Sequence, residues 1–294
     1  MDEYQVDKPR VRRAFDRAAA TYAQYAKLQT LVREEMLARL QGLKIEPQIV
    51  VDLGCGTGAA MRVLRQRYPR AQILGLDFST GMLHEARRWR PWMRKPLWVC
   101  GDMERLPLRD ASVDVLFSSL SVQWGNALAD TLTEARRVLK PGGVFMFSTL
   151  GPDTLKELRA AWRAADDGGY AHVNMFYDMH DVGDALLRAG LRDPVMDVER
   201  MRLYYPDVDA VMRSLKGIGA QNSMQGRARG LTTKTHIQRV RSEYETWRGA
   251  DGLLPVTYEV VHGLAWGGEA GCYQANAAGE VRVPLHALLG RSKK

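Results

Sequence analysis

Three glycines alternate with other residues directly after a short apolar run, at Gly54, Gly56 and Gly58. The preceding residues 50–53 are typical of a buried strand, and the residues after Gly58 are typical of a helix. Glycine lets the backbone turn tightly and approach a ligand closely, and the amino end of a helix favours an anionic group. The segment predicts a ligand-binding loop, with a tight turn that holds no ligand as the alternative.

Carboxylates follow the predicted strands at positions where a bound nucleoside would meet them. Asp77 stands nineteen residues after Gly58 and ends the second strand, where it can accept hydrogen bonds from both ribose hydroxyls. Asp102 and Met103 follow the third strand and place a carboxylate and a thioether beside the expected adenine. Dinucleotide sites share this geometry, but the spacing here is G-x-G-x-G, with Asp52 two positions before the first glycine. A solvated strand end is the alternative for Asp77.

Taken together, these landmarks resemble class I S-adenosylmethionine-dependent methyltransferases. The resemblance implies that Asp52 and the loop from Gly54 to Gly58 hold the methionine end of the cofactor. It places Asp77 at the ribose and Asp102 with Met103 at the adenine, and it implies no metal. The predicted cofactor-binding residues are Tyr22, Asp52, Gly54, Cys55, Gly56, Gly58, Asp77, Phe78, Asp102, Met103 and Ser118.

Four further segments resemble the BioC family of biotin-pathway malonyl-carrier-protein methyltransferases. They are FDRAAATY at residues 15–22, SSLSVQW at 118–124, TLGPDTLKEL at 149–158 and MRSLKGIGA at 212–220. The resemblance extends over roughly residues 11–266, and residues 213–220 are more specific than the glycine loop. It implies a Rossmann-like methyltransferase fold with a seven-stranded sheet. It also implies methyl esterification of the free carboxyl group of malonyl-acyl carrier protein in biotin (pimeloyl) synthesis.

A carboxylate acceptor is consistent with the lack of a general base in the predicted site. A carboxyl group has a pKa of about 4, by analogy with Asp and Glu, so it is already ionised at neutral pH. Methyl transfer then needs mainly alignment. None of the six histidines falls in the cofactor motifs or in the segment after the fourth strand. A base from elsewhere in the fold stays open as an alternative.

An acyl site of this kind needs cations and donors for the carboxylate, and walls that exclude water. Arg213 and Lys216 stand three residues apart in a predicted helix and should share a face. We expect Arg213 to bind the carboxylate, since arginine suits bidentate pairing, and Lys216 to contact the acidic carrier. A solvated helix face is the alternative for both, and core packing is the alternative for the aromatic residues. The predicted substrate-binding residues are Phe15, Tyr22, Gln123, Trp124, Arg213 and Lys216.

Strand and helix patterns alternate along the chain and predict a doubly wound, mostly parallel α/β sheet. Residues 10–40 contain no glycine or proline and predict one or two helices, and Lys-Pro-Gly-Gly at 140–143 predicts a turn. A loop that carries His172 precedes the short helix 179–189. The predicted strands are residues 49–53, 72–76, 97–100, 113–118, 144–149, 195–203 and 255–266, and the other helices are residues 61–68, 81–89, 127–139, 153–165, 208–218 and 234–248.

These elements predict a single domain over residues 1–294 with a helical lid. Lid helices are expected at 10–45, a cofactor-binding core at 46–206 and a helical lid insertion at 207–250. A final strand at 251–268 and a C-terminal tail at 269–294 complete the predicted organisation.

Composition narrows the class of protein further. The chain is 46% hydrophobic and 26% charged, as globular proteins are. No apolar run approaches 18 or so residues and the first residues lack a signal-peptide core, so we expect a cytoplasmic protein without a membrane partner. The cysteines Cys55, Cys100 and Cys272 lie far apart and predict free thiols.

The net charge of +8 fits an acidic protein, nucleic acid or a membrane surface equally, with scattered solubilising charge as the alternative. No arginine-rich run, zinc finger or RNA-binding aromatic motif favours nucleic acid. We therefore expect malonyl-acyl carrier protein as the partner and no nucleic acid. The sequence does not indicate the oligomeric state.

Three other functions are consistent with parts of the sequence. The segments after the fourth and fifth strands are also similar to mitochondrial complex I assembly factors that resemble methyltransferases, which would imply modification of a protein arginine. The entry helix and residues 215–220 favour the biotin branch. An NAD-dependent dehydrogenase conflicts with the glycine spacing. A non-catalytic basic nucleic-acid-binding module would leave the cofactor motifs without a use.

Overall fold

The computed structural model describes residues 5–92, 95–166, 172–227 and 232–268. It also gives the backbone of two short paired strands, β8 (Gln274–Ala275) and β9 (Val281–Arg282). Cys272 and the remainder of the predicted C-terminal tail lie outside the described residues. No helix within these ranges is both long enough and apolar enough to cross a membrane.

The N-terminal segment forms three helices, one more than the composition predicted: α1 (Lys8–Ala18), α2 (Tyr22–Tyr25) and α3 (Lys27–Gln41). Helix α1 begins where the Asp7 side chain accepts a hydrogen bond from the Arg10 backbone N–H, at 3.0 Å. This is an ordinary helix N-cap. A turn over residues 19–21, in which the Thr21 N–H donates to the Ala18 carbonyl at 3.0 Å, separates α1 from the short α2.

A seven-stranded sheet in the order β3-β2-β1-β4-β5-β7-β6 confirms the predicted doubly wound, mostly parallel architecture. Strands β1 to β5 are mutually parallel, while β7 runs antiparallel to both β5 and β6. The carboxyl ends of the parallel strands therefore meet at one edge, where α/β sheets bind their ligands. The strands are β1 (Ile49–Leu53), β2 (Gln72–Asp77), β3 (Leu97–Cys100), β4 (Val113–Ser118), β5 (Leu139–Leu150), β6 (Leu191–Tyr205) and β7 (Leu254–Gly267).

Helices cover both faces of the sheet and bury an apolar core on each. One face carries α6 and α8, and the other carries α4 and α7 together with α3 and α10. Two helices from the predicted lid segments thus belong to the core layer, because Val32, Leu40 and Val240 are fully buried there. The remaining helices are α4 (Ala59–Arg67), α5 (Thr80–Ala86), α6 (Leu128–Val138), α7 (Lys156–Ala165), α8 (Met179–Arg188), α9 (Val208–Gly217) and α10 (Lys234–Glu245).

The turn predicted at residues 140–143 is instead an irregularity within β5. Val113 pairs with Leu139 and Val115 with Val144, so β5 carries extra residues between two ladder positions. Gly142 adopts a φ of 75°, which glycine tolerates without strain. Helix α6 therefore passes into β5 without a separate turn.

Candidate active site

The glycine loop leaves β1 and turns across the end of β2. The backbone N–H groups of Gly54 and Cys55 both donate to the Leu76 carbonyl, at 2.7 and 3.0 Å. Gly54 has a φ of 73°, and a Cβ atom there would overlap the Ser121 side chain. Glycine is required at this position by both backbone conformation and the close approach of the segment after β4.

Asp77 binds the glycine loop directly. Its Oδ2 accepts a hydrogen bond from the Gly56 N–H at 2.9 Å, and its Oδ1 accepts one from the Ser79 N–H at 2.8 Å. Burial raises the pKa of Asp77 to about 6, although these two hydrogen bonds oppose the rise. The carboxylate lies at the carboxyl end of β2 with lone pairs left for further donors.

Asp52 lies beneath the same loop and is only 2% exposed. Among the described residues, its Oδ2 atom has no hydrogen-bond partner. Burial raises the pKa of Asp52 to about 7, and the negative charge of Asp77 raises it further. A buried carboxylate oxygen without a donor is costly, so this atom suits a cationic or hydrogen-bonding group of a ligand.

A first cavity, here called the strand-end cavity, lies at this edge and has a volume of about 60 Å³. Seven of the predicted cofactor-binding residues line it. They are Tyr22, Gly54, Gly56, Asp77, Phe78, Asp102 and Met103.

The other predicted cofactor residues are close by, but they do not line the strand-end cavity. Asp52 lies below the loop, and the Cys55 thiol packs in the core between sheet and helices, where burial raises its pKa. A Cβ on Gly58 would meet Trp98, and the buried Ser118 hydroxyl lies 3.3 Å from that of Ser121.

Sequence reasoning missed several residues that line the strand-end cavity. Ser119, Leu120 and Ser121 line it in place of Ser118, and the SSLSVQW segment already contained that signal. Lys8 and Met82 also line it without any sequence signal that we can identify.

Lys8 joins α1 to the segment after β3. Its Nζ lies 2.7 Å from Asp102 Oδ2 and also pairs with Glu104. Just before it, the Val6 N–H donates to Asn126 Oδ1 at 2.7 Å. The amino end of α1 is therefore tied across the predicted adenine side of the strand-end cavity.

A second cavity of about 230 Å³ adjoins the first and is here called the lid cavity. Phe15, Tyr22, Leu120 and Trp124 line both cavities. Phe15 contacts Trp124 edge to face, with ring centroids 5.2 Å apart. Helices α1, α2 and α9 and residues 220–222 contribute to its walls. A ligand in one cavity would therefore face a ligand in the other across four shared side chains.

The described lining of the lid cavity contains basic residues but no acidic ones. Of the described residues that line it, Lys216 and His172 are basic, and none is Asp or Glu. Neutral donors such as Gln123 and Asn174 complete the polar part of the wall. This lining suits an anionic group.

His172 is held rigidly, although the sequence predicted only a loop at this position. Its Nε2 pairs with Asp166, and its ring stacks on Trp162 with centroids 4.0 Å apart and an interplanar angle of 6°. Asp166 also lies 2.6 Å from His236 Nε2. These contacts fix the orientation of the imidazole that lines the lid cavity.

Arg213 and Lys216 do not share the environment that helix spacing predicted. Lys216 lines the lid cavity, whereas Arg213 is absent from the lining of both cavities. The Arg213 side chain is 64% exposed and lies 3.8 Å from Asp207. Of the two, Lys216 therefore lies at a cavity, whereas the sequence predicted that Arg213 binds the carboxylate.

The other substrate-binding predictions fall where the two cavities meet. Phe15, Tyr22, Trp124 and Gln123 all line the lid cavity, and the first three also line the strand-end cavity. Burial, together with the negative charge of Asp77, raises the pKa of the Tyr22 phenol well above its usual range. Tyr22 therefore stays protonated and can donate a hydrogen bond into the site.

The chain is similar to known methyltransferases. A family model for a methyltransferase domain matches residues 51–147. A malonyl-[acyl-carrier protein] O-methyltransferase of Methylovorus sp. (strain MP688) is 51% identical over 271 residues, which cover 90% of each chain. The protein of the same name from Halorhodospira halophila (strain DSM 244 / SL1) is 44% identical over 293 residues and 99% of each chain.

Solved structures resemble the chain in fold. The YcgJ protein of Bacillus subtilis matches with a TM-score of 0.57 and 14% identity, covering 81% of this chain and 100% of that one. A chain solved with the Trm112 methyltransferase activator of Haloferax volcanii matches with a TM-score of 0.54 and 21% identity, covering 87% and 98%. At these identities the likeness concerns the fold alone.

Proposed function

The chain belongs to the family of malonyl-[acyl-carrier protein] O-methyltransferases, and we propose that it methylates the free carboxyl group of a malonyl thioester on acyl carrier protein. The methyl donor is S-adenosylmethionine, and the product is a methyl ester. The proposed pathway is biotin (pimeloyl) synthesis, and a cytoplasmic location stays a prediction.

The observation that carries the proposal is the charge of the lid cavity beside the strand-end cavity. Its described lining has the ammonium group of Lys216 and no carboxylate, so an anionic acyl group is favoured over a cationic or neutral one. A cationic arginine side chain, as methyl acceptor, would find no carboxylate to pair with in this described lining. A malonyl carboxylate could pair with Lys216 and His172.

The residues around the strand-end cavity fit the proposed cofactor. The unpartnered Oδ2 of Asp52 would accept a hydrogen bond from the ammonium group of the methionine end. Asp77, already held by Gly56 and Ser79, would accept from the ribose hydroxyls. Asp102 and Met103 would lie at the adenine, with Lys8 pairing with Asp102 at its edge.

S-adenosylmethionine would supply a methyl group on a positively charged sulfur: a bond from the carboxylate oxygen to the methyl carbon would form as the carbon–sulfur bond breaks, and S-adenosylhomocysteine would leave as a neutral thioether. The chain's task is then alignment and exclusion of water, because an ionised carboxylate has no proton to remove. Lys216 and His172 would hold the carboxylate, and Asp166 and Trp162 fix the His172 ring. Phe15, Trp124 and Leu120 would form the apolar wall around the transfer.

Mass spectrometry of the acyl group after incubation with S-adenosylmethionine tests the reaction. Malonyl carrier protein should gain one methyl group, and fragmentation should locate it on the acyl group and not on the protein. Acetyl carrier protein, which lacks the free carboxylate, is the matched control and should gain nothing. Equal methylation of acetyl and malonyl carrier protein would contradict the proposed acceptor.

A further inference from the structure

Four arginines gather along one flank of α1 and the adjoining loop, and they are here called the basic stripe: Arg10, Arg13, Arg17 and Arg227. A rotation of about 100° per residue brings Arg10, Arg13 and Arg17 onto one side of the helix. Burial lowers the pKa of the Arg10 guanidinium, and the charges of Arg227, Arg17 and Arg13 lower it further against the opposing attraction of Asp7. Arg10 is therefore close enough to the other three arginines to be repelled by them.

The exposed part of the basic stripe has no counter-charge in the described part of the chain. Arg13 and Arg17 are exposed and form no ion pair or side-chain hydrogen bond with any described residue. Asp16, the only acidic residue within α1, faces inward, where it accepts hydrogen bonds from the Ser79 hydroxyl and the Gly81 N–H.

The stability of α1 explains only part of the arrangement. Asp7 at the N-cap and Arg17 in the last turn complement the helix dipole. Arg10 lies in the first turn, near the positive end of the dipole, and Arg13 and Arg17 stand one helical turn apart, where like charges repel. Residues that oppose local stability in this way commonly mark a functional site.

The basic stripe adjoins residues that line the lid cavity. Arg10 Nε donates to the Asn222 carbonyl at 3.3 Å, and Asn222 lines the lid cavity. Phe15, between Arg13 and Arg17 in the sequence, lines both cavities. Arg227 continues the stripe and lies 3.8 Å from Asp7.

We propose that the basic stripe is the docking surface for the acidic face of the carrier protein that delivers the acyl group to the lid cavity. This rests on the proposed function. From Arg10 to Arg17 the stripe extends for about 10 Å at 1.5 Å per residue, which is longer than one phosphate or carboxylate. Its length suits successive acidic side chains on a protein surface. The single aromatic residue of α1, Phe15, faces the cavities and is not available to stack on bases.

Charge reversal with two substrates tests the docking surface. Arg13→Glu, Arg17→Glu and the double variant are compared with Arg12→Glu, which alters an exposed arginine on the other flank of the same helix. Steady-state methylation is measured with malonyl carrier protein and with S-malonyl pantetheine, which has the same acyl group without the protein. Unchanged thermal unfolding and S-adenosylmethionine affinity establish that the variants are folded.

For the double variant we expect a KM for malonyl carrier protein about tenfold above that of the wild type at low salt, with kcat nearly unchanged. The defect should shrink as salt screens the charges. Kinetics with S-malonyl pantetheine should match the wild type, and Arg12→Glu should have a clearly smaller effect than Arg13→Glu or Arg17→Glu.

Three kinetic outcomes would overturn the proposal. They are an unchanged KM for malonyl carrier protein, an equal defect in Arg12→Glu, and an equal defect with S-malonyl pantetheine, which would assign the stripe to the acyl group. Tighter binding of an oligonucleotide than of carrier protein, lost in the double variant, would assign it to nucleic acid instead. Failure of the wild type to methylate either malonyl substrate would reject the proposed function. Calorimetric titration with carrier protein would still report whether the stripe binds it.

Discussion

Asp77 Oδ2 lies 2.9 Å from the backbone nitrogen of Gly56, so that a carboxylate at the end of β2 holds the loop that follows β1. Asp77 ends β2, and Gly56 lies in the loop after the neighbouring parallel strand β1, whose carboxyl end is in register with β2, with Leu53 opposite Leu76. Asp77 therefore has two tasks: to shape the glycine loop and to accept hydrogen bonds from a ligand.

Replacing Asp77 by Ala should weaken binding of S-adenosylmethionine by about 2–4 kcal/mol, since hydrogen bonds to a charged group contribute about 1.5–3 kcal/mol each. Isothermal titration calorimetry measures the change. Asp114→Asn is a matched control, because Asp114 Oδ2 accepts from the Gln48 and Ile49 N–H groups at the opposite end of β1. The control should lower stability but leave affinity unchanged. Wild-type affinity in a folded Asp77→Ala protein would reject the role.

Affinity for S-adenosylmethionine should rise as pH increases from about 5.5 to 7.5. Burial raises the pKa of Asp52 to about 7 and that of Asp77 to about 6, so the free protein holds protons that hydrogen-bond donors of the ligand would displace. Binding should release protons in this window. Calorimetry in two buffers of different ionisation enthalpy counts them. Asp52→Asn should reduce the count, and an affinity independent of pH would contradict the prediction.

Lys216→Met should lower kcat/KM at least about tenfold for both malonyl carrier protein and S-malonyl pantetheine, because one charge-assisted hydrogen bond to the carboxylate is lost. Arg213→Met is the matched control, since Arg213 lies on the same helix but does not line the lid cavity. The control should stay within about threefold of the wild type. A larger defect in Arg213→Met than in Lys216→Met would restore the roles expected from the sequence.

Folding stability should fall as pH decreases from about 6.5 to 4 through His262. Burial lowers the pKa of His262 to about 4, with the positive charge of Arg39 adding to the effect. The unfolded chain binds the proton first as pH falls, so the native state loses up to about 3 kcal/mol across this window. Urea unfolding of His262→Phe at several pH values should lack this contribution. An identical slope in wild type and His262→Phe would show that His262 does not contribute.

Residues whose positions depend only on their neighbours in the sequence were predictable. The strand-to-glycine transition at Gly54 and the strand-end position of Asp77 follow from alternation and spacing. The positions of most strands along the chain follow from them as well. The bulge in β5 was not predictable, because Lys-Pro-Gly-Gly is compatible with either a turn or an irregular strand.

Residues that act through long-range contacts were missed. Lys8 meets Asp102 across 94 positions, and nothing in either segment signals the other. Helix spacing also gives the angle between Arg213 and Lys216 but not the direction in which α9 faces the cavity. That direction depends on packing between α9 and the elements around it.

The place of β7 in the sheet has a consequence for synthesis of the chain. β7 pairs with β5 along Val144–Leu150 and with β6 along Leu191–Tyr205, although it is the last of the seven strands to be translated. All of β1 to β5, including the glycine loop, thus emerge from the ribosome before the strand that joins β6 to the sheet has been synthesised. We expect a nascent chain to assemble the cofactor half first and to leave the edge of β5 open until residue 267 has emerged. A ribosome stalled within the preceding helix α10 would hold a chain whose exposed strand edge invites pairing with other chains.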